Sequence, residues 1–301
     1  MRGDLSGLEV LRPRRLAEAL AALADADRPC PLAGATDLYV ALNDGRAPAR
    51  RFLDLARLTE LRGLAATADG LRLGALTTYA ELRASRLVAR RAPVLSAMAA
   101  TVGAVAIQNR GTLGGSLANA SPASDPAPVL LALDARVELV ARAGARVVRR
   151  VVPLSDFFVA YRRTAARPEE LIAAILVPTA ALAGWRYAYR KVGTRRAQAI
   201  SKVVAAVGLE LAGRPRRIAS ARVAFGSVAP VPVRARAAEA ALAGRRLDPA
   251  AGVAAAAALV ASDLAPIDDL RSTADYRRLV AGRLLEALLA ELGGHRPAVA
   301  G

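Results

Sequence analysis

Residues 101–125 differ in texture from the sequence around them, and they constrain the fold more than any other feature. Alanine, leucine and arginine dominate the rest of the chain, whereas Thr101 to Asp125 is rich in glycine, serine, asparagine and threonine and has no run of charge. At its centre lies Gly111-Thr112-Leu113-Gly114-Gly115-Ser116-Leu117, and a second, shorter loop of the same kind is Ala33-Gly34-Ala35-Thr36-Asp37-Leu38. Loops without bulky Cβ groups let main-chain N–H donors come close to a phosphate, and a helix start adds a favourable dipole. Thr36, Thr112 and Ser116 add hydroxyls that bond phosphate or ribityl oxygens. Neither loop fits G-x-G-x-x-G or the lysine-containing P-loop, which argues against a nicotinamide-type Rossmann domain and against an ATPase. Taken singly, each loop reads more readily as a tight turn between packed elements. Taken as a pair in adjacent α/β lobes, they suit a dinucleotide clamped between the lobes.

The periodicities supply those lobes. Leu8 to Leu11 reads as a strand, Arg14 to Ala24 as a helix, Pro31 to Ala33 as a buried strand, Asp37 to Leu42 as a helix and Phe52 to Leu55 as a strand. A second lobe starts near Leu58, with a strand at Leu71–Leu76, a helix start at Thr77–Leu82 and a helix over Leu87–Ala100 interrupted by Pro93. A hairpin over Arg136–Val152 turns at Ala143-Gly144, and Leu171–Val177 is a further strand. Beyond Gly184, strands at Tyr187–Val192, Ser201–Leu211 and Ile218–Val228 precede helices at Ala235–Ala243, Pro249–Ala261 and Ser272–Leu292. Strands first and helices afterwards is an α+β signature, and it places a domain boundary near residue 180. The N-terminal domain, 1–180, then has lobes of about 1–57 and 58–180, followed by a second domain at 181–301.

Composition narrows the chemistry. With one cysteine, Cys30, and one histidine, His295, the chain cannot ligate zinc or an iron–sulfur cluster by itself. Redox work would fall to an organic cofactor. The net charge of +17 rests almost wholly on scattered arginine, since Lys191 and Lys202 are the two lysines among 43 basic residues. Without an aromatic-interleaved basic stripe, that surface suits an acidic partner subunit better than nucleic acid. No apolar run is long enough to span a bilayer, and Met1–Leu5 leads into no signal-peptide core, so the expected location is cytoplasmic.

At this point the motifs resemble a known family. Ala33-Gly34-Ala35-Thr36-Asp37, and Ile107-Gln108-Asn109-Arg110-Gly111-Thr112-Leu113-Gly114-Gly115 continuing to Ser121-Pro122-Ala123-Ser124-Asp125, are similar to the paired FAD loops of molybdenum hydroxylase flavoproteins of the xanthine and carbon monoxide dehydrogenase type. Phe157–Thr164, Pro168–Ile172 and Ala265–Arg278 extend the likeness in the family's order. The resemblance implies a two-lobed, PCMH-type FAD-binding domain and a CO dehydrogenase flavoprotein-like C-terminal domain with a three-stranded antiparallel sheet and helices. It also implies FAD held by Ala33, Gly34, Ala35, Thr36, Asp37, Leu38, Tyr39 and Val40 on one side, and by Thr112, Leu113, Gly114, Gly115 and Ser116 on the other. Asp125 would accept a hydrogen bond from the cofactor, cap the following helix, or do both. Ile172 and Lys191 would lie close to the flavin, and Tyr161 towards an electron acceptor. Three positions depart from the family pattern: Ala35 where a second glycine is frequent, Ser116 where asparagine is usual, and Gln108 where arginine is usual. The implied activity is electron relay. A molybdopterin-binding subunit and an iron–sulfur subunit deliver electrons to FAD on this chain, and a small acceptor, NAD or a quinone, takes them away. Two other readings stay open on sequence alone, a self-contained flavin oxidase and a basic nucleic-acid-binding or scaffold protein.

Overall fold

The computed structural model describes residues 7–46, 48–213 and 217–294; His295 lies outside them. The first lobe alternates β1 (Glu9–Leu11), α1 (Leu16–Ala24), β2 (Cys30–Leu32), α2 (Leu38–Asn43) and β3 (Arg51–Asp54). Its three strands form a parallel sheet in the order β1-β3-β2. α1 buries Leu16, Ala19, Leu20 and Leu23, one face of a 3.6-residue period, against Leu53, Leu55 and Leu58.

The second lobe holds β4 (Leu64–Thr67), β5 (Gly70–Gly74), α3 (Tyr79–Ala84), α4 (Arg86–Arg91), α5 (Pro93–Ala99), α6 (Val105–Arg110), α7 (Leu113–Asn119) and α8 (Pro126–Ala132). It continues through β6 (Arg136–Ala143), β7 (Arg146–Pro153), α9 (Leu154–Phe157), β8 (Phe158–Ala160), β9 (Arg163–Thr164) and β10 (Leu171–Pro178). β10 runs antiparallel to both β5 and β6 at the centre of a five-stranded sheet, which explains its nearly unbroken apolar run. Thr78 starts α3 with a capping box: its side chain accepts from Glu81 N, and the Glu81 carboxylate accepts from Thr78 N. Pro93 splits the helix expected over Leu87–Ala100 into α4 and α5, itself becoming the first residue of α5.

The C-terminal domain has β11 (Trp185–Val192), β12 (Val203–Ala212), β13 (Arg217–Gly226), β14 (Val233–Arg234), α10 (Arg236–Leu242), α11 (Pro249–Ala258) and α12 (Ala274–Leu292). The strands pair antiparallel in sequence order, and α12 buries Leu284, Leu285, Leu288 and Leu289 with the sheet residues in one core. The sheet has four strands rather than three, because the two-residue β14 adds an edge to β13. The two-domain α+β architecture expected from the sequence is therefore present. No described helix is long and apolar enough to cross a membrane.

Candidate functional site

The first bend, residues 33–37, carries the chain from β2 into α2 and meets the end of α6. A Cβ built on Gly34 would fall 1.9 Å from the carbonyl oxygen of Arg110 and 3.1 Å from Cα of Gly111. Only a glycine lets the two main chains approach this closely. The next residue, Ala35, has φ 62°, so the position where the family frequently has glycine is left-handed, and alanine bears that strain. Among the described residues, no group accepts from the main-chain N–H donors of residues 34–38. Thr36 and Leu38 are half-buried, whereas Asp37 and, at 58% each, Tyr39 and Val40 are exposed beside the bend.

The second bend lies directly opposite: a Cβ on Gly115 would stand 3.9 Å from that of Ala33. It is the first turn of α7 rather than a loop. Thr112 is its N-cap, with Oγ1 accepting from Gly115 N at 3.1 Å. Leu113 N donates to Thr77 O at 3.0 Å, Gly114 N to Ala75 O at 2.8 Å and Ser116 N to Thr112 O at 3.0 Å. The main-chain donors of residues 113–116 are thus already spent inside the protein. What 112–116 offers a ligand is the Thr112 N–H, the bare surface of Gly115 and the Ser116 hydroxyl. That hydroxyl lies 3.0 Å from Ser124 Oγ. Burial pushes the Tyr79 phenol far above its ordinary range, and the nearby Ser116 hydroxyl opposes that shift.

Three side chains strap the bends together. Asn119, the last residue of α7, donates from Nδ2 to Asp37 Oδ2 at 2.8 Å, and its Oδ1 accepts from Arg162 at 2.8 Å. Arg162 sits at the tip of the β8–β9 hairpin with φ 52°, next to Tyr161, which is 60% exposed. Neither Asn119 nor Arg162 was among the expected site residues, because one asparagine and one arginine far apart in sequence carry no spacing signal.

Asp125 is 7% exposed and does not cap α8; its side chain makes no bond to the helix N–H groups. Lys191 Nζ lies 2.5 Å from its Oδ2, and Ser201 Oγ donates to its Oδ1 at 2.5 Å. Burial pushes this carboxyl up, and the Lys191 ammonium and Ser201 hydroxyl oppose the shift. Lys191 also donates to Thr101 O at 3.1 Å, and Thr101 Oγ1 lies 2.8 Å from Tyr189 Oη. β11 therefore brings the C-terminal domain to both ends of the 101–125 stretch. Ile172 is half-buried on β10, where the pairing with β6 shifts register. The carbonyl of its neighbour Ala173 accepts from Ala75 N, and Ala75 in turn receives Gly114, so β10 braces α7 through one residue.

These features give unspent amide donors, a side-chain-free contact and a buried ion pair at one place. They suit an anionic diphosphate better than acid–base chemistry, and no group of three metal-ligating side chains occurs among the described residues.

A family profile described as the FAD binding domain in molybdopterin dehydrogenase matches residues 6–180, and one described as the CO dehydrogenase flavoprotein C-terminal domain matches residues 187–292. The glyceraldehyde dehydrogenase medium chain of Sulfolobus acidocaldarius is 33% identical, covering 90% of this chain and 92% of its own length. The carbon monoxide dehydrogenase medium chain of Hydrogenophaga pseudoflava is 30% identical over 92% of this chain and 94% of its own. In solved structures, carbon monoxide dehydrogenase from Hydrogenophaga pseudoflava superposes with a TM-score of 0.88 at 31% identity, covering 96% of this chain and 98% of that one. Quinoline 2-oxidoreductase from Pseudomonas putida 86 gives 0.87 at 26% identity, covering 97% and 98%.

Proposed function

Because the chain belongs to the FAD-binding domain family of the molybdopterin dehydrogenases, we propose that it relays electrons from the iron–sulfur clusters of a partner subunit, through FAD, to NAD or a quinone. Its general role, an FAD-binding electron-transfer subunit of the molybdenum hydroxylase type, follows from membership. The partners, the acceptor and the individual FAD contacts are the proposal.

The observation that carries it is the Gly34–Arg110 main-chain contact, which holds the two bends together with the amide donors of residues 34–38 still available. Those donors would face the diphosphate. Gly115 and Ser116 would form the opposite wall, and Thr36 would bond the ribityl chain. Leu38, Tyr39 and Val40 would cover the cofactor from the start of α2. Ile172 and the Asp125–Lys191 pair would border the flavin end. FAD, when bound, supplies the electron-carrying chemistry, and the protein positions it and excludes water. One cysteine in this sequence leaves no ligand set for a cluster, which supports a reading in which the clusters, and molybdopterin with them, would be supplied by partner subunits. The same reading keeps the subunit in the cytoplasm.

The test is expression of this chain alone and together with its neighbouring reading frames. Alone, it should purify with FAD and fail to oxidise aldehydes, xanthine or carbon monoxide. Coexpressed, it should enter a complex containing molybdenum, iron and FAD. Substrate oxidation by the isolated chain would favour a self-contained oxidase instead.

A further inference from the structure

At the opposite end of α8 from Asp125, a cavity of about 330 Å³ is lined from both domains: by Asp134, Arg136 and Ser155 on one side, and by Arg222 and Arg234 on the other. We infer that this cavity binds a small oxyanion, a phosphate or carboxylate group, at the domain junction.

Charge is the first argument. Three arginines, Arg136, Arg222 and Arg234, line the cavity with one acidic residue, Asp134. Arg222 Nη2 lies 2.9 Å from Asp134 Oδ2, and Arg234 Nη1 lies 2.5 Å from its Oδ1, so both oxygens are taken. Among the described residues Arg136 makes no ion pair, and Asp134, which shares the wall with it, is taken by the other two arginines. Arg234 is compensated further by Glu239, 2.6 Å from its Nε, and Arg222 is not. Arg222 and Arg234 are 13% and 8% exposed at their side chains, where screening by water is weaker and an oxyanion gains more, whereas Arg136 is exposed.

Preorganisation is the second. Arg222 is 13% exposed at its side chain, lies with Cζ 3.9 Å from the Trp185 ring centroid and donates to Tyr187 Oη at 3.2 Å. Its fork is therefore held before any ligand arrives, which lowers the ordering cost of binding. Asp134 has φ 46°, a left-handed conformation that turns the chain out of α8. The volume is near the lower end of the roughly 300–1,000 Å³ typical of small-molecule sites, which suits phosphate or a short carboxylic acid. The seven residues of α8 separate this cavity from Asp125. At about 1.5 Å per residue this spans roughly 10 Å, so the site is separate from the Asp125–Lys191 pair, and it shares no lining residue with either bend.

Titration calorimetry of the FAD-loaded full chain tests the inference, with inorganic phosphate, succinate and chloride compared at equal ionic strength. Loaded FAD keeps phosphate out of the crevice, and the Arg136 variants locate the site even in chain lacking FAD. Saturable binding of one phosphate or succinate per chain is expected, the tighter of the two naming the ligand group. Arg136→Glu, at an exposed position, should weaken it at least tenfold, and Arg136→Lys, which keeps charge but loses the fork, by less. Heats no different from chloride, or unchanged affinity in Arg136→Glu, would overturn the site.

Discussion

Lys191 Nζ on β11 lies 2.5 Å from Asp125 Oδ2 just ahead of α8, so one ion pair ties the C-terminal domain to the polar stretch facing the first bend. Both side chains are nearly closed off from water, at 10% and 8% exposed. Removing either partner leaves the other charged and unpaired in the interior, at a cost of about 3–5 kcal/mol. Asp125→Asn and Lys191→Met should each show that loss in urea denaturation, and the double variant should lose clearly less than their sum. Additive losses within about 1 kcal/mol, the range of a surface pair, would contradict a coupled buried pair.

Ala35 offers a prediction of opposite sign. Its φ of 62° costs an alanine about 1 kcal/mol relative to glycine, partly offset by glycine's greater freedom in the unfolded chain. Ala35→Gly should leave stability unchanged or raise it by up to about 1 kcal/mol and should keep FAD. Thermal denaturation and flavin content check both; a loss above 1 kcal/mol would show that the Ala35 methyl makes a contact worth more than the strain.

Acid should weaken the fold. Glu60 is held below its ordinary value of 4.5, chiefly by the main-chain N–H of Leu16. Burial alone would raise Glu170, but hydrogen bonds from Arg150 outweigh it and hold it below 4.5. Asp269 follows the same pattern, with burial outweighed by the Arg271 N–H and Arg277, and lies below 3.8. A carboxyl lowered in the folded state stabilises above its unfolded value and loses that contribution as pH falls through its folded one. Asp125, raised by burial, runs the other way and offsets part of the loss. The urea midpoint should therefore fall as pH drops below these ordinary values, and Glu170→Gln should flatten the fall. A midpoint that rises on acidification would contradict this balance.

Much of the fold was legible because burial follows periodicity: Leu16, Leu20 and Leu23 on α1, and the apolar run of β10, read directly as elements. The first bend was legible as a turn of small residues, but its close approach to Arg110, 76 residues away in sequence, was not. The second was misread as a loop. Glycine has low helix propensity, yet Thr112 caps the turn, and Gly114 packs against Ala75 where a Cβ would fall 2.7 Å from the Ala75 methyl. Tertiary contact overrode local preference there. Of the two roles expected for Asp125, a bond to the cofactor and a cap on α8, the cap is not formed, because Lys191 and Ser201, 66 and 76 residues away, claim both oxygens. The Asp37–Asn119–Arg162 strap has the same character and left no trace in one dimension.

The central claim rests on Gly34, where an added methyl would sit 1.9 Å from Arg110 O and must push the bends apart. The direct measurement is FAD affinity of Gly34→Ala beside the unaltered chain, by flavin fluorescence quenching, with circular dichroism confirming that both fold. The unaltered chain should bind one FAD per molecule, and the variant should bind at least a hundredfold more weakly at unchanged secondary structure. Equal affinity in the two would show that the cofactor does not depend on this contact, and the proposed site would be wrong.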